Sequence, residues 1–171
     1  MAETLVAITI LTLSITFGVS VAADSFFYTG YSKDELTASY LAQEGLEAMR
    51  AKRDGNILAG SAWDLGFNEC TTPAGCVIDG YDPNLTTFDC STGVPDCGKV
   101  YRNGDEDKQF FYSLPGASYA PASPEDTKFT RIVMVTSIAN EVIVSSVVRW
   151  KTKGGTDRII DLRQTLTDWG S

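Results

Sequence analysis

The sequence predicts an α+β fold in which a long N-terminal α-helix packs on an antiparallel β-meander, with a loop-rich, disulfide-bonded middle region. An uncharged run over residues 4–23 indicates the first half of the helix. Apolar residues at helical spacing indicate its second half, and three Val-, Ile- and Thr-rich segments near the C-terminus indicate strands. A helix with one apolar face on an antiparallel sheet is an α+β arrangement. We therefore expect a helix over 1–54 and a globular domain over 55–171.

Composition and charge disfavour several functions. The chain has 171 residues and a net charge of -8, with 3 basic and 11 acidic residues in 55–127. Because no basic stripe stands out, specific nucleic-acid binding is not expected. The sequence has no histidine, which removes the commonest general base and a common metal ligand. An anchored hydrolase with paired carboxylates is the enzymatic alternative, but no carboxylate pair has a spacing that requires it. We predict no catalytic residue, no cofactor and no enzymatic activity.

The uncharged run is bounded by Glu3 and Asp24 and contains 20 residues. As a helix it would span about 30 Å, the hydrocarbon thickness of a bilayer. A signal peptide would need a basic segment before the run, and none is present. A plain membrane anchor fits the length. A helix that first lies in a membrane and later packs among copies of itself also accounts for the many Thr and Ser residues. The large apolar side chains of this segment are Leu5, Val6, Ile8, Ile10, Leu11, Leu13, Ile15, Phe17 and Val19.

Glu3 is the most informative residue of the N-terminal segment. A carboxylate beside hydrocarbon is unfavourable unless a cation pairs with it, and no basic side chain precedes Lys33. The nearest partner would be an α-amino group, either its own or that of a neighbouring chain. The alternative is a carboxylate in the headgroup region that stabilises the helix N-terminus through the macrodipole. The sequence leaves both alternatives open.

Three segments resemble bacterial type IV pilins and pseudopilins, the family with a prepilin-type N-terminal helix. Glu3-Thr4-Leu5-Val6-Ala7-Ile8-Thr9-Ile10-Leu11 is similar to the family's acidic residue followed by an apolar run. Residues 40–50, YLAQEGLEAMR, are similar to the later half of the first helix in many members. A looser resemblance lies in strands that end in Leu166-Thr167-Asp168-Trp169. Together these segments cover about half of the chain.

The resemblance implies a structural subunit. In that family a basic leader is removed after a glycine and the new N-terminus is methylated. The glutamate then pairs with a neighbouring subunit's amine, a role that would fall on Glu3. The family's glutamate is the fifth residue of the mature chain, whereas here it is the third. The implied partners are copies of the chain, the membrane-bound pilus assembly machinery and the cytoplasmic membrane before assembly. The implied final location is an extracellular filament.

The helix is expected to have two parts, a membrane or filament-core half over 1–28 and an amphipathic half over 32–54. Gly18 and Gly30 are predicted helix breaks, and Ser32 with Glu35 forms a capping box that would restart the helix. Gly55 is the predicted C′ residue. The second half carries an apolar stripe at helical spacing, with small members that would let a sheet approach closely. The apolar stripe consists of Ala38, Leu41, Ala42, Gly45, Leu46 and Met49.

The globular domain is predicted to contain a disulfide-rich loop region over 55–99 and an antiparallel sheet over 100–171. Its strongest β signals are Lys128–Ile138, Glu141–Lys151 and Thr156–Thr167, which would form a meander. Val100–Tyr101 and Phe110–Tyr112 indicate a further hairpin.

The four cysteines are Cys70, Cys76, Cys90 and Cys97, which allow three connectivities. Pairing in sequence order is favoured, and each small loop would contribute on the order of 2–2.5 kcal/mol. Zinc is the alternative, but the cysteine spacing is wide and no histidine is present. Oxygen ligands dense enough for calcium occur in two loops, although a solvated turn is the simpler interpretation and no metal is predicted. These residues are Asp79, Asp82 and Asn84, and Asp105, Glu106 and Asp107.

Taken together, the sequence favours a type IV pilus subunit that polymerises for adhesion, motility or DNA uptake. A type II secretion pseudopilin is the alternative within the family. The alternative from another class is a membrane-tethered extracellular binding domain that never polymerises.

Overall fold

A computed structural model describes residues 2–71, 73–79, 87–90, 97–103, 110–112, 124–138, 140–152 and 154–169. It confirms the α+β fold, with one long helix, an antiparallel sheet and two disulfides in the middle region. The chain forms two compact units, residues 1–37 and residues 38–171. The helix α1 covers Ala2–Leu58, and a 3-10 turn covers Phe67–Cys70. The strands are β1 Cys76–Ile78, β2 Thr87–Asp89, β3 Lys99–Asn103, β4 Phe110–Tyr112, β5 Pro124–Ile138, β6 Glu141–Lys151 and β7 Asp157–Thr167.

Helix α1 is uninterrupted at Gly18 and at Gly30. The predicted helix breaks at these two glycines were therefore wrong. Ser32 also lies inside the helix and does not restart it. A glycine lowers helix stability by about 1 kcal/mol relative to alanine, but it keeps its backbone N–H and has no ring to clash with the preceding turn. The hydrogen bonds on either side therefore carry the helix through both positions.

The end of α1 lies beyond the predicted one, and Gly55 is an ordinary helical residue. The C′ residue is Gly60, whose φ of 69° is in the left-handed region that glycine adopts readily. Its N–H donates to the carbonyl of Ile57 at 3.0 Å, and the N–H of Ser61 donates to the carbonyl of Asn56 at 2.9 Å. This pair of bonds is a Schellman motif, which satisfies two of the last helical carbonyls. The prediction of Gly55 was wrong because the motif needs its glycine at the residue that reverses the chain.

Strand β5 is the centre of the sheet. One of its edges pairs with β6 over 129–138, and β7 continues the antiparallel meander beyond β6. The other edge of β5 is shared by β3 toward its start and β1 toward its end. The bounds of β6 and β4 agree with the sequence prediction, whereas β5 begins four residues earlier than predicted, at Pro124 instead of Lys128. Strands β1 and β2 lie in the region predicted to be loop.

The apolar stripe of α1 packs on one face of this sheet, as its spacing predicted. Ala38, Leu41 and Ala42 join a buried cluster with residues of β3, β5 and β6, including Trp150. Leu46 and Met49 join a second cluster beside the first disulfide. Gly45 marks the closest approach, since a Cβ atom there would lie 2.5 Å from Ser146 Oγ and 3.2 Å from Arg131 Cδ. The prediction that a small residue lets the sheet approach is confirmed at this position.

Arg131 is a fully buried cation in the layer between helix and sheet, with 1% of its surface exposed. Its guanidinium donates to the carbonyl of Leu41 in α1 at 3.0 Å and to the carbonyl of Ile78 in β1. The carboxylate of Glu44 lies 3.5 Å from the guanidinium. A buried charge is tolerated only when it is paired and hydrogen-bonded, so Arg131 links three elements of the domain.

The two disulfides join cysteines in sequence order, which confirms the favoured connectivity. Cys70 pairs with Cys76, and Cys90 pairs with Cys97. Cys76 also pairs with Val133 of β5 in the sheet, so the first bridge ties the end of the 3-10 turn to the sheet. Loops held in this way need little apolar core of their own.

Candidate membrane and assembly segment

The apolar segment, residues 4–23 of α1, belongs to the N-terminal unit of the chain. Its large apolar side chains are exposed, from 52% at Val21 to 73% at Phe17. Monomeric proteins in water rarely expose a contiguous apolar surface of this extent. The segment therefore requires a cover other than water, which is a membrane or other protein chains.

Apolar side chains surround the helix axis in this segment. Leu11 and Leu13 are about 200° apart at 3.6 residues per turn, and both are at least 60% exposed. An amphipathic helix that docks on a protein core would place such residues on one side only. A window of 18 residues has a mean hydropathy of 2.2, and none of it is buried. By length and composition α1 can cross a membrane, and this associates the chain with a membrane.

Four hydroxyl groups of the apolar segment donate hydrogen bonds within the helix itself. Thr9 donates to the carbonyl of Val6 at 2.8 Å, and Thr12 donates to that of Thr9 at 2.9 Å. Ser14 and Thr16 donate to the carbonyls four residues before them, at 2.8 and 2.7 Å. These bonds remove the penalty of an unpaired donor in hydrocarbon.

Glu3 lies in the first turn of α1 and is exposed. A carboxylate in the first turn stabilises a helix by about 0.3–1 kcal/mol through the macrodipole. This is the position required by the headgroup interpretation, and it also leaves the carboxylate accessible to an amine. Pairing of Glu3 with the amine of a neighbouring chain stays a prediction.

The two disulfides bear on the compartment of the C-terminal unit. Disulfides form and persist in oxidising surroundings such as the periplasm or the cell exterior. Both bridges are closed, and the chain has no free cysteine. These bonds place the domain in an extracellular or otherwise oxidising environment.

In the described part of the chain, no group of His, Cys, Asp or Glu side chains is arranged to hold a metal ion. Asp79 is only 5% exposed. Asp82, Asn84, Asp105, Glu106 and Asp107 lie outside the described residues.

Comparison of the chain with protein-family models, with curated proteins and with solved structures finds no match in any of the three.

Proposed function

We propose that this chain is a structural subunit of a type IV pilus, an extracellular filament that bacteria use for adhesion, motility or DNA uptake. The observation that carries the proposal is a helix whose first part is apolar on all sides, with every large apolar side chain more than half exposed, joined to a disulfide-bonded α+β domain. The proposal is also supported by the resemblance of Glu3 and the following apolar run to the N-terminus of pilins.

The proposed mechanism is assembly and involves no chemical step. The apolar segment lies in the cytoplasmic membrane before assembly, and it then packs among copies of itself in the filament core. Its apolar side chains exchange lipid contacts for helix contacts, so they avoid water in both states. The carboxylate of Glu3 would pair with the N-terminal amine of a neighbouring subunit and set the axial register. The membrane-bound assembly machinery would drive the transfer.

The charge around the apolar segment supports export of the C-terminal unit. Residues 24–44 contain one basic residue, Lys33, and four acidic ones, Asp24, Asp34, Glu35 and Glu44. Lys and Arg are enriched in cytoplasmic loops near a membrane span, and a single lysine in this stretch is compatible with export of this side. Closed disulfides favour the same side.

A membrane-tethered extracellular binding domain is the second candidate. The observation that favours it is the set of hydroxyl-to-carbonyl bonds at Thr9, Thr12, Ser14 and Thr16, because a helix with satisfied hydroxyls is stable alone in lipid. A pseudopilin of a type II secretion system is the candidate within the family. It would form short or rare filaments.

The test compares two single substitutions in cells that carry the native chain. Glu3→Ala removes the carboxylate at one end of the apolar segment, and Asp24→Ala is the matched control at the other end. Filaments sheared from the cell surface are counted by electron microscopy, and the intact mass of their subunit is measured. We expect Glu3→Ala to reduce filaments sharply and Asp24→Ala to leave them near the native number. The native mass should correspond to two closed disulfides and an N-terminal methyl group.

Two results would argue against a major pilus subunit, and one would argue against the role of Glu3. Filaments in which this chain is rare or missing would favour the pseudopilin or the tether. Equal filament numbers in the native chain and the Glu3→Ala variant would remove the proposed role of Glu3. Full surface exposure of the domain on cells without any filament would favour the tether.

A further inference from the structure

The chain has an aromatic pair immediately after its apolar segment. Residues 24–28 contain three aromatic residues, whereas the 20 residues before them contain one, Phe17. The structure describes two of these three aromatic side chains. Both are strongly exposed, Phe26 at 80% and Tyr28 at 72%. We call Phe26 and Tyr28 the aromatic collar.

The collar surrounds the helix. Two residues of separation correspond to about 200° of rotation in an α-helix, so Phe26 and Tyr28 project on opposite sides of the axis. A protein that docks on one face of a helix would meet one of them and miss the other. A lipid surface meets both, because it encloses the helix from every side.

The depth of the collar agrees with the membrane interface. If Ala23 lies at the edge of the hydrocarbon, Phe26 lies about 4.5 Å and Tyr28 about 7.5 Å beyond it at 1.5 Å per residue. The headgroup region on one side of a bilayer is about 5–7.5 Å thick, taken as half the difference between the total and the hydrocarbon thickness. Tyrosine and tryptophan concentrate in this region because one end of the ring is apolar and the other can reach water, which suits Tyr28. The apolar ring of Phe26, nearer the hydrocarbon edge, can lie on the acyl-chain side.

We infer that the aromatic collar binds the headgroup region of the membrane that receives the apolar segment, and that it fixes the depth of the helix before assembly. This inference rests on the membrane-bound state in the proposed function. The collar lies at the end of the apolar segment opposite Glu3. The two ends of the apolar segment are therefore positioned by different interactions, a carboxylate at one and aromatic rings at the other. Aromatic anchors of this kind set helix depth and tilt in membranes.

The test uses the full chain in phosphatidylcholine vesicles and tryptophan as a depth reporter. Phe26→Trp and Tyr28→Trp are compared with Leu13→Trp, in the middle of the apolar segment, and with Leu36→Trp, about 19.5 Å past the hydrocarbon edge. All four positions are at least 58% exposed, so a larger ring fits at each. Lipids brominated near the glycerol or near the chain end quench tryptophan at shallow or deep positions. The unsubstituted chain provides the background from its own three tryptophans.

We expect both collar variants to lose more fluorescence to shallow bromine than to deep bromine. Leu13→Trp should show the reverse order, and Leu36→Trp should show no added loss. Quenching of only one collar position would indicate a one-sided contact and overturn the inference. Collar quenching strongest with deep bromine, or absent while Leu13→Trp is quenched, would overturn it while leaving the membrane-bound state intact. An unquenched Leu13→Trp would overturn both the inference and the membrane-bound state on which the proposed function depends.

Discussion

The two parts of helix α1 share one backbone conformation but differ in what surrounds them. In the first part, the apolar segment of residues 4–23, Leu13 is 70% exposed. In the second part, which carries the apolar stripe, Leu41 is 2% exposed and Met49 is fully buried. The first part is apolar on all sides, and the second has one apolar stripe against the sheet. Backbone hydrogen bonds therefore explain the helix, but they do not explain the burial of its side chains.

This contrast shows that the exposed apolar surface is a property of the first part and not of the whole helix. The second part shows that this chain buries the apolar face of a helix when its own sheet is available. Its first part is exposed and needs a cover such as lipid or another protein chain. The following predictions test this contrast from the largest expected effect to the smallest.

The largest effect is expected from Arg131→Ala, which removes the buried cation from the packed part. Loss of one partner from a buried ion pair destabilises a protein by about 3–5 kcal/mol, because the other groups stay buried without it. Here those groups are the carbonyls of Leu41 and Ile78, together with the partly buried carboxylate of Glu44. The measurement is urea unfolding of the full chain in mild detergent, followed by tryptophan fluorescence.

Two controls accompany the Arg131 experiment. Arg131→Met keeps most of the side-chain volume and should be less destabilising than Arg131→Ala. Asp24→Ala removes a charge from the first part and should leave the unfolding midpoint unchanged. Equal midpoints for native chain and Arg131→Ala would show that the buried cation does not hold the domain together.

A second prediction compares the same kind of truncation in both parts of α1. Met49→Ala leaves a cavity in the core and should lower the free energy of unfolding by about 2–5 kcal/mol. Leu13→Ala removes a similar side chain from an exposed position, so the stability of the domain should be unchanged. The same urea titration measures both. A matching loss of domain stability in Leu13→Ala would contradict the division of the helix.

Alanine at two glycines should give opposite results. At Gly45 the new Cβ would meet Ser146, Arg131 and Val133, and such overpacking costs about 1–3 kcal/mol. At Gly18 no atom lies within 4 Å, so the helix gains up to about 1 kcal/mol of intrinsic stability. Urea unfolding reports the first change, and circular dichroism of the helix in detergent reports the second. Stabilisation by Gly45→Ala would mean that the sheet can move away from the helix.

The smallest effect concerns acid stability near the end of α1. The indole of Trp169 donates to Asp54 at 3.0 Å and, with the guanidinium of Arg53, holds the pKa of that carboxyl below its ordinary value of 3.8. A lowered pKa in the folded state means that the ionised form stabilises the fold. This contribution is complete above the ordinary value and is lost as the pH falls through the lowered one.

We expect the native chain to lose slightly more stability than Asp54→Asn between neutral pH and a pH below 3.8. Unfolding in urea at the two pH values measures the difference. Trp169→Phe removes only the indole donor and should reproduce part of the change. Parallel pH profiles for all three chains would exclude a role of Asp54 in acid stability.

Several elements could be predicted because local pattern determines them. Strand β6 was predicted at its observed bounds from a run of β-branched residues, and the apolar stripe of α1 was predicted from its spacing. The disulfide pairing in sequence order was favoured because small loops close readily. Strands β1 and β2 have three residues each, which is too short for a period to show. They become strands because β1 pairs with β5, a contact between distant parts of the chain.

The sequence by itself determined the membrane-spanning length of the apolar segment, the position of Glu3 at its start and the strands of the meander. These features depend on hydropathy, charge and side-chain spacing along one stretch of chain. Only the tertiary structure decided that Arg131 is buried and that β1 becomes a strand, because both depend on groups from distant parts of the chain, such as the carbonyls of Leu41 and Ile78 around one guanidinium. The structure also showed that α1 continues through Gly18 and Gly30 and ends at Gly60, where local backbone hydrogen bonds decide the outcome. A local pattern carries no information about which distant groups will share a buried site.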